Sequence, residues 1–197
     1  MGEAIDRGRR QLLTVATTLT GAVGVAFAAV PFLASWKPSA RAKALGAPVE
    51  IDISKLEPGA MLKIEWRGKP VLVVRRTAAM LDTLGKHDSR LADPGSNQSN
   101  QPDYAKNAPR AVNPEYLVVL GVCTHLGCAP MSRFEPGDAV LGADWPGGFY
   151  CPCHGSTFDL SGRVYRGVPA PTNLEVPPYT FADSGHIVIG LDQSRSG

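Results

Sequence analysis

No charged side chain stands between Arg10 and Lys37. Within that interval, Leu12 to Leu33 is a run of 22 residues drawn mostly from Leu, Val, Ala, Gly, Thr and Phe. In lipid, such a run must satisfy its peptide groups within itself, so it can only be a helix. At about 1.5 Å per residue it reaches about 33 Å, enough for a hydrocarbon core of about 30 Å. Arg7, Arg9 and Arg10 precede it, and the excess of positive charge on that side predicts a cytoplasmic N-terminus. The chain after Trp36 then lies across the membrane, with Trp36 suited to the far interface. A removed signal peptide fits less well. The run is long for a cleavable apolar region, and Ala26-Phe27-Ala28 and Ala40-Arg41-Ala42 are poor cleavage sites. A buried core helix fits worse, because the run is apolar on every face.

Charge divides the chain at the same place. Residues 1–43 carry six Lys/Arg against two Asp/Glu, whereas residues 44–197 carry fourteen against sixteen. The overall balance of +2 gives no basic footprint for nucleic acid. Arg9-Arg10-Gln11-Leu12-Leu13 resembles a twin-arginine export signal, whose machinery carries folded proteins. Residues 1–36 are therefore expected to be signal and anchor. Residues 37–48 (KPSARAKALGAP) have no apolar periodicity and read as a flexible tether. Residues 49–192 read as the globular domain.

That domain reads as mainly β. Val49–Ile53, Met61–Trp66, Pro70–Val74, Tyr116–Val122 and Ile187–Leu191 are short apolar or alternating runs, separated by Glu-Pro-Gly, Arg-Gly-Lys and Asp-Ser-Gly. Twenty-one Gly and seventeen Pro suit the many turns of an all-β domain. Thr77–Leu84 is the best short helix. Asp93–Asn107 (DPGSNQSNQPDYAKN) is polar and is expected to be an exposed loop. His87 and His186 stand in polar, turn-like stretches and read as solvated.

All four cysteines fall within 31 residues, in two clusters: Cys123-Thr124-His125-Leu126-Gly127-Cys128 and Cys151-Pro152-Cys153-His154-Gly155-Ser156. Each half offers two thiols and one imidazole, a donor mixture suited to zinc or to an iron–sulfur centre. Six candidate ligands exceed the four such a site needs. In an oxidising compartment, surplus cysteines pair.

These paired motifs, C-T-H-L-G-C and C-P-C-H-G-S, resemble those of the Rieske iron–sulfur proteins. Among them the chain is most similar to the membrane-anchored subunit of the cytochrome bc complexes, the ubiquinol–cytochrome c reductases. The resemblance spans nearly the whole chain. It implies an antiparallel β sandwich with an inserted cluster-binding subdomain, about residues 117–173, behind one N-terminal transmembrane helix. It implies one [2Fe–2S] cluster, with Cys123 and Cys151 on one iron and His125 and His154 on the other. Cys128 and Cys153 become a disulfide. Ser156 matches a serine that bonds a bridging sulfide. Leu126 and Gly127 match the tip that docks on cytochrome b. Gly167-Val168-Pro169-Ala170-Pro171 resembles the proline loop over the cluster, with Val168 where glycine is usual. Phe158 stands where the family commonly has a tyrosine that donates to a cysteine sulfur; losing that bond is expected to lower the potential.

The resemblance further implies the work of a quinol–cytochrome c reductase: His154 and His125 facing ubiquinol, proton release coupled to electron uptake, and transfer to a c-type cytochrome. Cytochrome b and a cytochrome c-type subunit are the implied partners, in a dimeric complex of the bacterial inner membrane with the domain in the periplasm. Two other readings share the motifs. One is the Rieske small subunit of a periplasmic oxidase such as an arsenite oxidase. The other is a zinc-bound structural module.

Overall fold

The computed structural model describes residues 6–192, so the first five residues of the expected signal lie outside the described part. The chain divides into two compact units, residues 1–44 and 45–197.

The first unit is dominated by α1 (Arg7–Ala34), a single helix of 28 residues. Asp6 caps it, accepting hydrogen bonds from the Gly8 and Arg9 amides at 3.1 Å. Four threonines in the apolar stretch turn their hydroxyls back to the helix's own carbonyls. Thr14, Thr17, Thr18 and Thr20 donate to the Arg10, Leu13, Thr14 and Ala16 oxygens at 2.8–2.9 Å. Their polar groups are thus satisfied without water, as a lipid-facing helix requires. The helix has the length and hydropathy of a membrane span and none of its side chains is buried. Pro31 sits in its last turn, where it removes one ladder hydrogen bond near the helix end. The expected tether is not irregular throughout: residues 40–45 form a short helix, α2 (Ala40–Leu45). The Ala-Arg-Ala-Lys-Ala-Leu run is rich in strong helix formers, and the Ser39 hydroxyl caps it by accepting from the Ala42 amide at 3.1 Å.

The second unit carries three three-stranded antiparallel sheets. β1 (Val49–Asp52), β9 (His186–Ile189) and β8 (Tyr179–Phe181) make the first, with β9 central. β2 (Met61–Trp66), β3 (Lys69–Arg75) and β4 (Tyr116–Leu120) make the second. Trp66 pairs with Lys69, leaving a two-residue hairpin turn at Arg67-Gly68. Both turn residues have positive φ, 53° and 71°, the twist that fits a tight hairpin. All five residues of β4 are buried, and its outer edge is covered: the Leu120 amide donates to the Glu175 carbonyl at 2.8 Å. Ile51, Ile187, Ile189 and Tyr179 of the first sheet share one core with Val71–Val74 and Leu117–Leu120 of the second. The third sheet, β5 (Met131–Arg133), β6 (Gly148–Cys151) and β7 (Ser156–Phe158), is inserted between β4 and β8, the position expected for a cluster-binding subdomain. The short helix α3 (Ala78–Asp82) starts at Thr77, which caps the Met80 amide.

The polar stretch Asp93–Asn107 is exposed or half-exposed over most of its length, as expected, but three of its residues are buried. Asp93 and Ser96 are enclosed, and a turn of 3-10 helix at Asp103–Ala105 encloses Ala105. The polar side chains answer the loop's own backbone. The Asp93 carboxylate accepts from the Asn97 and Gln98 amides and the Ser99 hydroxyl at 2.8–3.0 Å. Tyr104 clips the loop to β8, donating to the Tyr179 carbonyl and accepting from the Tyr179 amide.

Three enclosed arginines tie the segment after β7 to the chain packed around it. Arg163 donates to Asp159 and Asp88 and to the Leu84 carbonyl at 2.6–2.9 Å. Arg76 donates to the Pro109, Pro114 and Leu160 carbonyls and the Ser161 hydroxyl. Arg110 donates to the Ser161 and Gly162 carbonyls and to Gln101. Burial pulls the Arg76 and Arg110 guanidiniums down to about 10, so both stay charged at neutral pH.

Two predictions follow from this packing. Asp159→Asn leaves the buried Arg163 with Asp88 as its remaining carboxylate partner, and should cost about 2 kcal/mol in denaturant unfolding of the folded domain. Burial pushes the Asp93 carboxyl up, but the hydrogen bonds from Gln98, Ser99 and Asn97 outweigh it and hold the carboxyl below its ordinary 3.8. Stability from a depressed carboxyl is fully present above the unfolded value and is lost as pH falls through the folded one. Amide exchange at Asn97 and Gln98, corrected for intrinsic rate, should therefore accelerate on acidification below pH 3.8, with no such step in Asp93→Asn.

Candidate metal centre

The two Cys/His clusters form two loops of one design. The first follows β4, where the Gly127 amide donates to the Cys123 carbonyl at 2.9 Å. The second joins β6 to β7, where the Gly155 amide donates to the Cys151 carbonyl at 3.0 Å. Each closes four residues after a cysteine on a glycine with φ near +80° (83° and 77°), a conformation L side chains resist. The strands deliver Cys123 and Cys151 into the interior, where both are buried and neither is in a disulfide. The loop ends stay outside.

His125 and His154 meet at that outer end. Their rings lie edge to face, 4.8 Å between centroids. His154 is exposed and His125 half-buried. Cys128 and Cys153 form a disulfide that ties the loops across 25 residues of sequence. The sulfurs of Cys128, Cys151 and Cys153 lie within 4.8 Å of one another, so the disulfide sits against the buried thiol of Cys151. Disulfide sulfurs are spent as ligands, which leaves Cys123, Cys151, His125 and His154 as the available donors.

A third segment closes the site. The Ala170 amide donates to the Ser156 hydroxyl oxygen at 3.0 Å, and the Thr124 hydroxyl donates to the Thr172 carbonyl at 2.7 Å. These two bonds hold the Gly167–Pro171 stretch against both loops. Pro169 and Pro171 are exposed along it, and Val168 packs inward against core side chains. Asn173 anchors its far end, accepting from the Val164 amide and donating to Ser96 and the Asp93 carbonyl. Ser156 and Phe158 are both fully enclosed on β7. Phe158 pairs across the sheet with Phe149 and offers no donor. Leu126 is 70% exposed and Gly127 lies beside it, forming the tip.

Burial pushes the Cys123 thiol up, and the neighbouring Cys151 adds to this; the His125 amide and the Ser156 hydroxyl act the other way. A metal entering here must displace that proton. The bonds from Thr124 and Asn173 escape a reading of the sequence, because their partners lie 48 and more residues away along the chain. His186, read as solvated, is half-exposed and paired with Asp183 at 2.9 Å.

Residues 48–179 match the family model described as "Rieske [2Fe-2S] domain". The chain belongs to the Rieske family. Residues 3–39 match a second model, "Ubiquitinol-cytochrome C reductase Fe-S subunit TAT signal", over the basic start and apolar helix. Curated Rieske relatives extend along the whole chain. A protein of Allochromatium vinosum named "Ubiquinol-cytochrome c reductase iron-sulfur subunit" is 56% identical, covering 98% of this chain and 94% of its own. One of the same name from Blastochloris viridis is 46% identical, covering 95% and 96%. A solved structure described as "Hyperthermophilic respiratory Complex III" is 26% identical with a TM-score of 0.48, covering 88% of this chain and 98% of that one.

The Rieske cofactor is a [2Fe–2S] cluster, and the residues fit it. Two thiols and two imidazoles supply the mixed donor set of that centre. His125 Nδ1 is buried without a hydrogen-bond partner, an orphan that a metal would satisfy. Ser156 and Thr124 supply the polar shell that orients such ligands. Thr124→Val preserves shape but removes the bond to Thr172. It should destabilise the loaded domain by about 1 kcal/mol and speed the thermal loss of the cluster's visible absorbance.

Proposed function

We propose that this chain is the iron–sulfur subunit of a ubiquinol–cytochrome c reductase, taking electrons from ubiquinol and passing them to a c-type cytochrome. The observation that carries this reading is the asymmetry of the site: two buried thiols at its base, and two touching imidazoles at an exposed end. The bacterial relatives bear that name over nearly their full lengths.

Cys123 and Cys151 would hold one iron and His125 and His154 the other. When bound, the [2Fe–2S] cluster supplies one-electron uptake, at a potential that imidazole ligation raises into a range of about −150 to +300 mV. The chain's own residues make that uptake selective. Burial of both cysteines keeps water from the sulfurs. The exposed ring of His154 accepts the hydrogen of the quinol hydroxyl and releases it later to solvent. Reduction and oxidation at a metal change the acidity of its imidazole ligand, so electron and proton travel together. Ser156 donates toward the sulfur side and favours the more negative, reduced state. Leu126 and Gly127 present an apolar tip to cytochrome b.

The anchor sets where this happens. Arg7, Arg9 and Arg10 keep the N-terminus in the cytoplasm, α1 crosses the bacterial inner membrane, and the head works in the periplasm. Residues 37–48 let the head travel between cytochrome b and the haem of a cytochrome c-type subunit. The assembled complex is a dimer.

Dithionite reduction of the purified chain should give an EPR signal and bleach visible colour; colourless, zinc-loaded protein would end the reading. Copurification should bring down cytochrome b, whereas a molybdenum subunit would point to a periplasmic oxidase. Phe158→Tyr adds a donor beside the cysteine sulfurs. It should raise the midpoint potential by on the order of 40 mV, the equivalent of one net hydrogen bond of about 1 kcal/mol, and Ser156→Ala should lower it comparably. Redox titration followed by EPR checks both.

A further inference from the structure

A cavity of about 350 Å³ opens on the flank of the inserted sheet, lined by Arg90, Leu141, Trp145, Thr157, Tyr165 and Arg166. Its volume is that of a small-ligand site. Leu91 pairs antiparallel with Tyr165, and the Arg166 amide donates to the Arg90 carbonyl at 2.8 Å. The register therefore sets Arg90 directly opposite Arg166. Like charges facing each other across a strand pair are destabilising. Neither arginine has a carboxylate partner among the described residues. Among the described residues Arg166 uses only Nε, donating to the Leu91 carbonyl at 2.8 Å. The Arg90 guanidinium lies over the Tyr165 ring, 5.4 Å from its centre, and makes no hydrogen bond within the described residues. All eight Nη–H groups of the two guanidiniums are unclaimed within the described residues, and no acidic residue lines the cavity to take them.

The remaining wall is also short of acceptors. Tyr165 is more than nine-tenths buried, and its hydroxyl has no hydrogen-bond partner. Burial pushes that hydroxyl up to about 12, so it remains a donor. Trp145 has already spent its indole N–H on the Arg133 carbonyl at 2.8 Å and serves as an apolar wall. A pair of opposed cations beside surplus donors is a local conflict that a bound anion resolves.

We propose that Arg90 and Arg166, with the Thr157 hydroxyl, bind a small oxyanion, a phosphate or carboxylate group, in the cavity walled by Trp145 and Tyr165. Guanidinium forks match the two oxygens of such a group in a bidentate manner. The group can come from a free anion or from the headgroup of an acidic lipid.

The test uses the full, cluster-loaded chain in phosphatidylcholine nanodiscs, with hydrogen exchange read at residues 90–92 and 164–166. One arm titrates inorganic phosphate against sodium chloride of equal ionic strength. The other replaces part of the phosphatidylcholine with phosphatidylglycerol. Saturable slowing of exchange by phosphate, weakened at least tenfold in Arg90→Gln and lost in the Arg90→Gln/Arg166→Gln double variant, establishes the site for a free anion. Slowing by phosphatidylglycerol alone, with the same dependence on both arginines, establishes it for a lipid headgroup. No slowing in either arm, or slowing that persists in the double variant, overturns the proposal. Arg90→Gln removes no hydrogen bond among the described residues, so the fold stands while the site is tested.

Discussion

The Cys128–Cys153 disulfide is the constraint on which the site rests. Each cluster loop is short and turns on a glycine amide, and neither alone can hold two donors opposite two others. Joined across 25 residues, the loops become one structure with thiols at its base and imidazoles at its rim. A covalent tie suits this place because the loops are too small to bury much apolar surface between them. It also sits against Cys151, so two of the four sulfurs hold the frame while the other two remain as donors.

Beneath the loops, enclosed polar groups add to the stiffness of the apolar core. Arg76, Arg110 and Arg163 are enclosed, and most of their donors end on backbone carbonyls. Such groups fix geometry strongly, because moving any one strands a charge away from water. Asn173 extends the same logic to the third wall. It ties the end of the proline loop to the polar stretch that carries Asp93 and Ser96. A loop rich in Asn, Ser and Asp looks solvent-facing by composition, yet here its side chains replace water as partners for buried backbone.

The pairing of a buried donor base with an exposed rim also explains the division of the chain. A centre that exchanges electrons with a partner protein needs an exposed end. The anchor supplies only position. From Leu12 to Leu33 its threonines bond inward and its surface is otherwise apolar, so nothing in that stretch competes with lipid for partners.

Much of this was legible in the order of residues alone. The apolar run dictates a helix, because lipid offers no other partner for its peptide groups. Alternating runs around Arg67-Gly68 dictate the β2–β3 hairpin, and the spacing of cysteine, histidine and glycine dictates two tight ligand loops. These are local properties, set by periodicity and turn chemistry within a few residues. The seating of Thr124 on Thr172, the burial of Asp93, the helix at Ala40–Leu45 within the expected tether and the opposition of Arg90 to Arg166 belong to a different level. Apart from that short helix, where alanine propensity and the Ser39 cap outweighed the flanking prolines, they join residues distant along the chain. Partners so far apart are chosen by how the sheets pack, and that choice exists only once the chain has folded.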